Sequence, residues 1–419
     1  MQLQTILNRV EKHRSFVYER ARLVTTTEGE QEIEVDIRPR RNGVRICSRC
    51  GGEAPGYDQA ASARRFEFVP LWGMKVFFMY RMRRVSCPTC GVVVERVPWA
   101  DGKHRATTSY RWFLARWAKR LSWSEVASAF GASWDTVFRA VQMAVAWGHA
   151  HRSLENVTSL GIDEIAWKRG HKYLTVVYQI DAACTRLLWV GEKRTTKTRL
   201  KFFRWFGEER SAALDFICSD MWNPYLRVIA RKAAKATHVL DRFHIVTNVN
   251  KAIDKVRAGE ARRMKADGYE PILKGARWCL LKRPENLTEG QEAKLADLLQ
   301  YNLQAVRAYL LKEDLQGLWN YVSPHWAGKF LDRWCTRAMR SKIDPFKKLA
   351  RSLRKHRPLI LNWFRAKGAI SAGIAEGLNL KAKLTVRKAF GFRSSDVAIT
   401  ALYHTLGKLP EPERAHRFC

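Results

Sequence analysis

The spacing of apolar positions changes several times along the chain, and each change predicts a change of element. Residues 66–85, FEFVPLWGMKVFFMYRMRRV, read as two strands around a Trp-Gly turn, whereas the residues before them that end in DIRPRRNGVR predict only an irregular or strand-containing lead-in. From 109 to 148 the period becomes helical. Ser122 with Glu125 has capping-box spacing, Gly131 and Ser133 predict a turn and a second N-cap, and Val137, Val141 and Val145 share one helix face. A short helix, a glycine turn and a longer helix from about Trp134 to Trp147 is the pattern of a helix-turn-helix, with a plain three-helix packing unit as the alternative.

Strands return at 157. NVTSLGID, HKYLTVVYQID and TRLLWVGE are followed by helical TKTRLKFFRWFGEERSAA, a buried strand ending at Asp220, a helix after Pro224, and a strand THVLD ending at Asp241. Three strands, a helix, a strand, a helix and a fifth strand is the order of a ribonuclease-H-like mixed sheet, so the fold class expected is α/β and multidomain. Residues 249 to about 366 are helix-patterned with breaks at Pro271, Pro284, Pro324, Pro345 and Pro358, and predict an all-helical insertion. A basic amphipathic helix, a glycine-aromatic turn and a closing helix capped by Ser394 or Ser395 follow. The expected domains are 1–104, 105–150, a core of 151–248 with 367–408, and the insertion 249–366.

Charge narrows the class of partner. Lys+Arg number 75 against 40 Asp+Glu, a net charge of +35 and a pI near 10.2, and a field of that sign favours a polyanion, most simply nucleic acid. No apolar run approaches the roughly 20 residues of a membrane-spanning helix, and MQLQTILNRVEKHR has no signal-peptide core, so a cytoplasmic protein without a membrane partner is expected. Of the nine cysteines, Cys184, Cys218, Cys279 and Cys335 stand alone in apolar surroundings, as thiols do in a reducing compartment. The motifs CSRCGG and CPTCG differ. Their Cys47, Cys50, Cys87 and Cys90 form two knuckles, each followed by glycine, which predicts one Zn²⁺ held by four thiolates in a structural zinc ribbon whose hairpin arms are lengthened by the intervening residues.

In so basic a chain, acids at strand ends call for an explanation. Asp163, in LGIDEIAWKRGHKY, and Asp220 are expected at neighbouring strand ends, and with an acid from a late helix they make the oxygen-rich set that two Mg²⁺ or Mn²⁺ ions need to activate the attacking oxygen of a phosphodiester and stabilise the leaving one. Glu164 points to the opposite strand face and is expected behind the metal ligands or in solvent; Asp181 and His171 are expected in turns, and Trp222 in the core, with stacking on a flipped or frayed base as the alternative.

The motifs CSRC, CPTC, LGIDEIAWKRGHKY, SDMWNPY, VLDRFH and EGLNLKAKLTVRKAFGFR, in this order, make the chain from Cys47 to about Leu406 resemble the bacterial insertion-sequence transposases of the ISL3 group, which carry an Asp-Asp-Glu catalytic domain. The resemblance implies that Asp163, Asp220 and Glu376 are the metal-binding catalytic triad of a ribonuclease-H-like fold interrupted by a helical insertion. It makes Asp241 and His244, in DRFH, an Asp-x-x-His pair near the site, and leads one to expect asparagine beside the glutamate, where Ala372 and Leu380 stand. Candidate DNA contacts are Trp134 and Arg139 on the recognition helix and Lys381, Lys383, Arg387, Lys388 and Arg393 near the C-terminus. The function implied is binding of the element's terminal inverted repeats, strand cleavage and transfer of the 3′-hydroxyl into target DNA, by a homodimer associated with the bacterial nucleoid. The rivals are a structure-selective nuclease of the same fold and a catalytically inert DNA-binding regulator.

Overall fold

The computed structural model describes residues 2–269, 272–366 and 372–413, which form two compact units, Met1–Ser153 with Tyr403–Cys419 and Leu154–Leu402. The first unit holds α1 (Leu3–Val10), β1 (Phe16–Thr25), β2 (Gln31–Pro39), β3 (Gly56–Gln59), β4 (Arg64–Leu71), β5 (Met74–Tyr80), β6 (Arg83–Cys87), β7 (Gly91–Val94), α2 (Thr108–Arg120), α3 (Trp123–Ala129) and α4 (Trp134–His151). The β4–β5 hairpin forms as its alternation requires, but it does not extend the cysteine knuckles. It joins a sheet of order β1-β2-β5-β4, separate from the knuckle sheet β3-β6-β7, with β5 parallel to β2. The reason is area: Phe66, Phe68, Val76, Phe78 and Tyr80 make one apolar face, which Ile33, Val35 and Ile37 extend and Trp99 closes, lying edge-on to Phe16, Phe66 and Tyr80. A three-stranded sheet of four- and five-residue strands cannot cover that much surface.

The helical segment follows its sequence signals. Ser122 and Glu125 close a capping box on α3, and Ser133 caps α4 through the Thr136 N–H. Leu114, Val126, Val137, Ala140 and Val141 are buried where the three helices meet. Residues from Tyr403 onward return to this unit, where Glu411 pairs with Arg116 at 2.8 Å.

The second unit begins with β8 (Ser159–Lys168), β9 (Lys172–Asp181), β10 (Cys184–Glu192), α5 (Thr196–Phe206), α6 (Glu208–Ala212), β11 (Phe216–Ser219), α7 (Asn223–Lys232) and β12 (Thr237–Leu240). The strands order as β10-β9-β8-β11-β12; β8, β9 and β10 are antiparallel neighbours, and β8, β11 and β12 are parallel. One face packs Leu160, Ile162, Val177 and Ile217 against Phe202, Phe203 and Phe206 of α5 and Val228 and Ile229 of α7. Asp163 is not at a strand end, contrary to expectation. Parallel pairing with β11 stops at Ile162 opposite Ser219, but β8 runs on to Lys168 as a hairpin with β9, turning at His171, φ +57°.

After β12 come α8 (Arg242–Ala266), α9 (Arg277–Leu281), α10 (Glu289–Leu299), α11 (Gln304–Gln316), α12 (Pro324–Arg340), α13 (Asp344–Lys355), α14 (Arg357–Arg365), α15 (Ala372–Lys388) and α16 (Ser395–Leu406). Pro324, Pro345 and Pro358 open α12, α13 and α14 rather than interrupt them, because a first-turn proline lacks only an N–H that has no helical partner anyway. Pro284 opens a short 3₁₀ turn, and Pro271 lies outside the described residues. The expected boundary at 248 falls inside α8, which runs unbroken from the sheet into the helices. Their core, built around the fully buried Trp334, is continuous with Met221 and Leu240 at the sheet, and Asn362 of α14 donates to the His238 carbonyl of β12 at 2.8 Å.

Candidate active site and cysteine cluster

Because the last parallel pair is Ile162 with Ser219, Asp163 and Asp220 are the next residue on each strand and stand level with one another. Both line a pocket of about 250 Å³, with Glu164 beside them and Arg194, His244 and Lys251 around it. Asp163 Oδ1 accepts from the Glu164 N–H at 2.8 Å, and Oδ2 accepts from the Asn379 amide of α15, whose own Oδ1 accepts from the buried Tyr178 hydroxyl at 2.9 Å. Asp220 Oδ1 accepts from the Met221 N–H at 2.5 Å.

Asp241 caps α8, accepting from the Phe243 N–H at 2.8 Å, and so aims the first turn of that helix at the acids. His244 on this turn puts Nε2 3.6 Å from Asp163 Oδ1 and 3.8 Å from Asp241 Oδ2, and Nδ1 3.8 Å from Asp220 Oδ1. Burial alone would lower its pKa, but the hydrogen bond and charge of Asp163, with Asp220 and Asp241, raise it to about 9. Asp241 is pushed up to about 6, chiefly by burial, with the charges of Asp163 and Glu376 adding to the rise.

Glu164 leaves the other face of β8, as strand alternation demands, but it is neither solvated nor idle. Its side chain is 6 % exposed and pairs with Arg199 at 2.9 Å and Arg194 at 3.5 Å, while Arg194 also reaches Asp220 at 3.5 Å. Burial raises the Glu164 pKa against the pull of the two arginines. Arg199 is itself buried, with its guanidinium 3.0 Å above the Tyr225 ring. Trp222, expected in the core, is 40 % exposed, edge-on to Tyr225 and beneath Arg194.

Helix α15 approaches β8 where Gly161 leaves room: a Cβ there would stand 3.5 Å from the Ala375 Cβ. Glu376 follows Ala375, one turn before Asn379; it is exposed and does not line the pocket, but its charge is felt at Asp241. Leu380 is exposed, and the asparagine beside the glutamate is Asn379, whose contact with Asp163 spans far more chain than a local pattern covers. Arg194 and Arg199 had no distinguishing signal either, since KRTTKTRL is one basic stretch among many.

In the other unit, the sulfurs of Cys47, Cys50, Cys87 and Cys90 lie within 4.8 Å of one another, the one such set of His, Cys, Asp or Glu among the described residues. Gly51 and Gly91 adopt φ of +76° and +72°, which lets each knuckle turn back after its second cysteine. The backbone N–H groups of Cys50 and Arg49 help bring Cys47 down to about 6, while burial and the neighbouring sulfurs push Cys90 up, as four crowded thiols do when they share one proton-poor site. Cys50 and Cys87 sulfurs are 3.6 Å apart, close to the roughly 3.8 Å edge of a tetrahedron with metal–sulfur bonds of about 2.3 Å. The cluster is compatible with a zinc ribbon.

On α4, Trp134 is 37 % exposed and stacks on Phe138, while Arg139 is exposed and pairs with Asp135. Lys381, Lys383, Arg387, Lys388 and Arg393 are all exposed. Among the described residues no helix is long and apolar enough to cross a membrane.

Comparison with known proteins places the chain in a family. Residues 160–402 match the family described as Transposase that comprises the DDE enzymes of the ISL3 group. The chain is 33% identical over 401 residues to the transposase for insertion sequence element IS1557 of Mycobacterium tuberculosis, covering 88% of this chain and 87% of that one. It is 28% identical over 356 residues to the transposase for insertion sequence element IS1001 of Bordetella parapertussis, covering 84% and 86%. The chain therefore belongs to the ISL3 family of insertion-sequence DDE transposases, DNA-transferring enzymes that use divalent metal ions.

Proposed function

We propose that this transposase binds the terminal inverted repeats of its own insertion sequence, cuts a strand there to release a 3′-hydroxyl, and joins that hydroxyl to target DNA at the same site. The observation that carries the reading is the level placement of Asp163 and Asp220 in one pocket with a cationic wall. The strand order, three antiparallel strands continued by two parallel ones, supports reading the sheet as a ribonuclease-H-like core. Asp163, Asp220 and Glu376 are assigned to hold two Mg²⁺ or Mn²⁺ ions; carboxylates suit hard cations, and the crowding of Asp163, Asp220 and Asp241 on His244 marks a place that calls for positive charge. When bound, the ions supply charge stabilisation at the attacking and leaving oxygens.

The chain's own groups prepare that chemistry. Asn379 and the Glu164 N–H hold Asp163 in one orientation, Arg199 neutralises Glu164, and Arg194 and Lys251 offer cations to a DNA phosphate. In both steps an oxygen, first of water and then of the 3′-hydroxyl, attacks phosphorus in line as the opposite P–O bond breaks. Asp241 and His244 are auxiliary, and the cysteine cluster holds one structural Zn²⁺. We assign α4 to sequence reading, Lys381, Lys383, Arg387, Lys388 and Arg393 to phosphate contacts, and the working form to a homodimer on DNA in the bacterial cytoplasm. The test is to incubate the purified chain, Mg²⁺ and duplexes carrying the repeats that flank its gene: cuts at the repeat ends and joined products are expected. Repeat binding without either product overturns the reading.

Arg139→Ala is expected to weaken binding to the terminal repeat by about 1 to 3 kcal/mol in a gel-shift titration, more than binding to unrelated DNA. The exposed Asp135 pair it breaks contributes little to the fold. Equal weakening on unrelated DNA makes Arg139 a phosphate contact.

A further inference from the structure

Helix α8 has a second lined face. His244, Thr247, Asn248 and Lys251 border the acid pocket, whereas Arg242, Ile245, Val246 and Val249, on the other side of the same turns, border a separate recess closed by Trp319. The walls of this recess are apolar and its mouth is cationic. The Trp319 ring is fixed by stacking on Phe364, with centroids 6.0 Å apart and planes at 13°, and by an edge contact from Trp363. The Arg242 guanidinium lies over Trp319, 4.9 Å from its centroid, and among the described residues makes no ion pair. Arg283 lines the same recess and pairs with the exposed Glu285 at 3.6 Å. Inside, Asn250 Oδ1 is buried without a hydrogen-bond partner among the described residues, a cost that a ligand N–H would relieve. Lys312 is not part of this deficit, since its ammonium donates to the Leu280 and Lys282 carbonyls and pairs with Glu313.

A flat apolar ring with an N–H edge and an attached anion is the ligand these features describe, and a nucleotide has all three. A helix with its side chains is about 10 to 12 Å across, a gap that roughly three stacked nucleotides span, fewer when unstacked. A strand whose phosphate lies in the acid pocket therefore reaches the recess. Resting on the function proposed above, we propose that the recess takes an extrahelical base of the strand being processed: the base replaces the Arg242 guanidinium on Trp319, donates to Asn250 Oδ1, and leaves Arg242 and Arg283 to its phosphate.

The test is affinity of the full chain, with Ca²⁺ in place of Mg²⁺ to hold back cleavage, for terminal-repeat duplexes carrying one mismatch at successive positions on either side of the cut. A mismatch removes the unpairing cost, so one position should tighten binding by about fivefold or more. That gain should vanish in Trp319→Leu and in the surface double variant Arg242→Ala/Arg283→Ala, and persist in Trp222→Ala, which removes the exposed indole beside Asp220. No tightening at any position, a gain that survives both variants, or loss in Trp222→Ala alone overturns the proposal. Failure of the underlying function shows differently, as equal affinity for repeat and unrelated DNA and no cutting in Mg²⁺, and takes this proposal with it.

Discussion

Replacing Asp163 or Asp220 by asparagine is expected to slow single-turnover cutting and joining by roughly a thousandfold or more, with terminal-repeat affinity held within about twofold. The amide keeps the shape of the carboxylate and removes the charge that holds a cation. At 163 the fold has a ready accommodation, because the new amide can turn its carbonyl to the Asn379 N–H that now donates to Asp163. Glu376→Gln should match the aspartate variants in chemistry although Glu376 is exposed and off the pocket wall, and this equality is the sharper test of the triad. If Glu376→Gln cuts and joins normally while the aspartate variants are dead, the third acid must be sought in Glu164 or Asp241. Joining lost with cutting preserved would assign the two reactions to different sites.

The second large effect is expected in the other unit. The purified protein should carry about one zinc per chain, and Cys87→Ser should lose it together with the fold of β3, β6 and β7. Apart from its cysteines, the buried core of that sheet is Ala54, Val85 and Val93, far too little apolar area to hold three short strands without a metal. Metal analysis gives the stoichiometry, and limited proteolysis between residues 44 and 95 reports the unfolding. Metal-free protein that resists protease there would show a sheet that stands without the ion.

What could be read in advance divides by range along the chain. The strands of the β8 to β12 sheet announce themselves in short runs of apolar and β-branched residues bounded by polar turns, the Ser122–Glu125 capping box in four residues, and the cysteine cluster in two short motifs. Contacts between distant residues left no such trace. The parallel pairing of β2 with β5 depends on which apolar face needs covering, and neither strand states this by itself. For Glu164 the sequence leaves a place behind the metal ligands and a place in solvent both open, because its counter-charge, Arg199, comes from the next helix but is indistinguishable in sequence from the other basic residues of KRTTKTRL. Trp222 looked like core because tryptophan usually is; its exposure follows from lying where β11 has ended and α7 has barely begun.

The unbroken α8, with an apolar core that runs from Met221 and Leu240 to Trp334, has a consequence for how such elements diversify. A region joined to its host by two flexible crossings can be deleted or exchanged like a cassette. Here the helix that carries His244 to the acids is also a beam of the helical bundle, about 37 Å long at 1.5 Å per residue. Cutting it near residue 248 would expose the underside of the β8 to β12 sheet and release the first turn that aims His244. The bundle and the acid pocket should therefore melt in one transition, and lineages that reshape the bundle must do so by substitution within it rather than by swapping it whole.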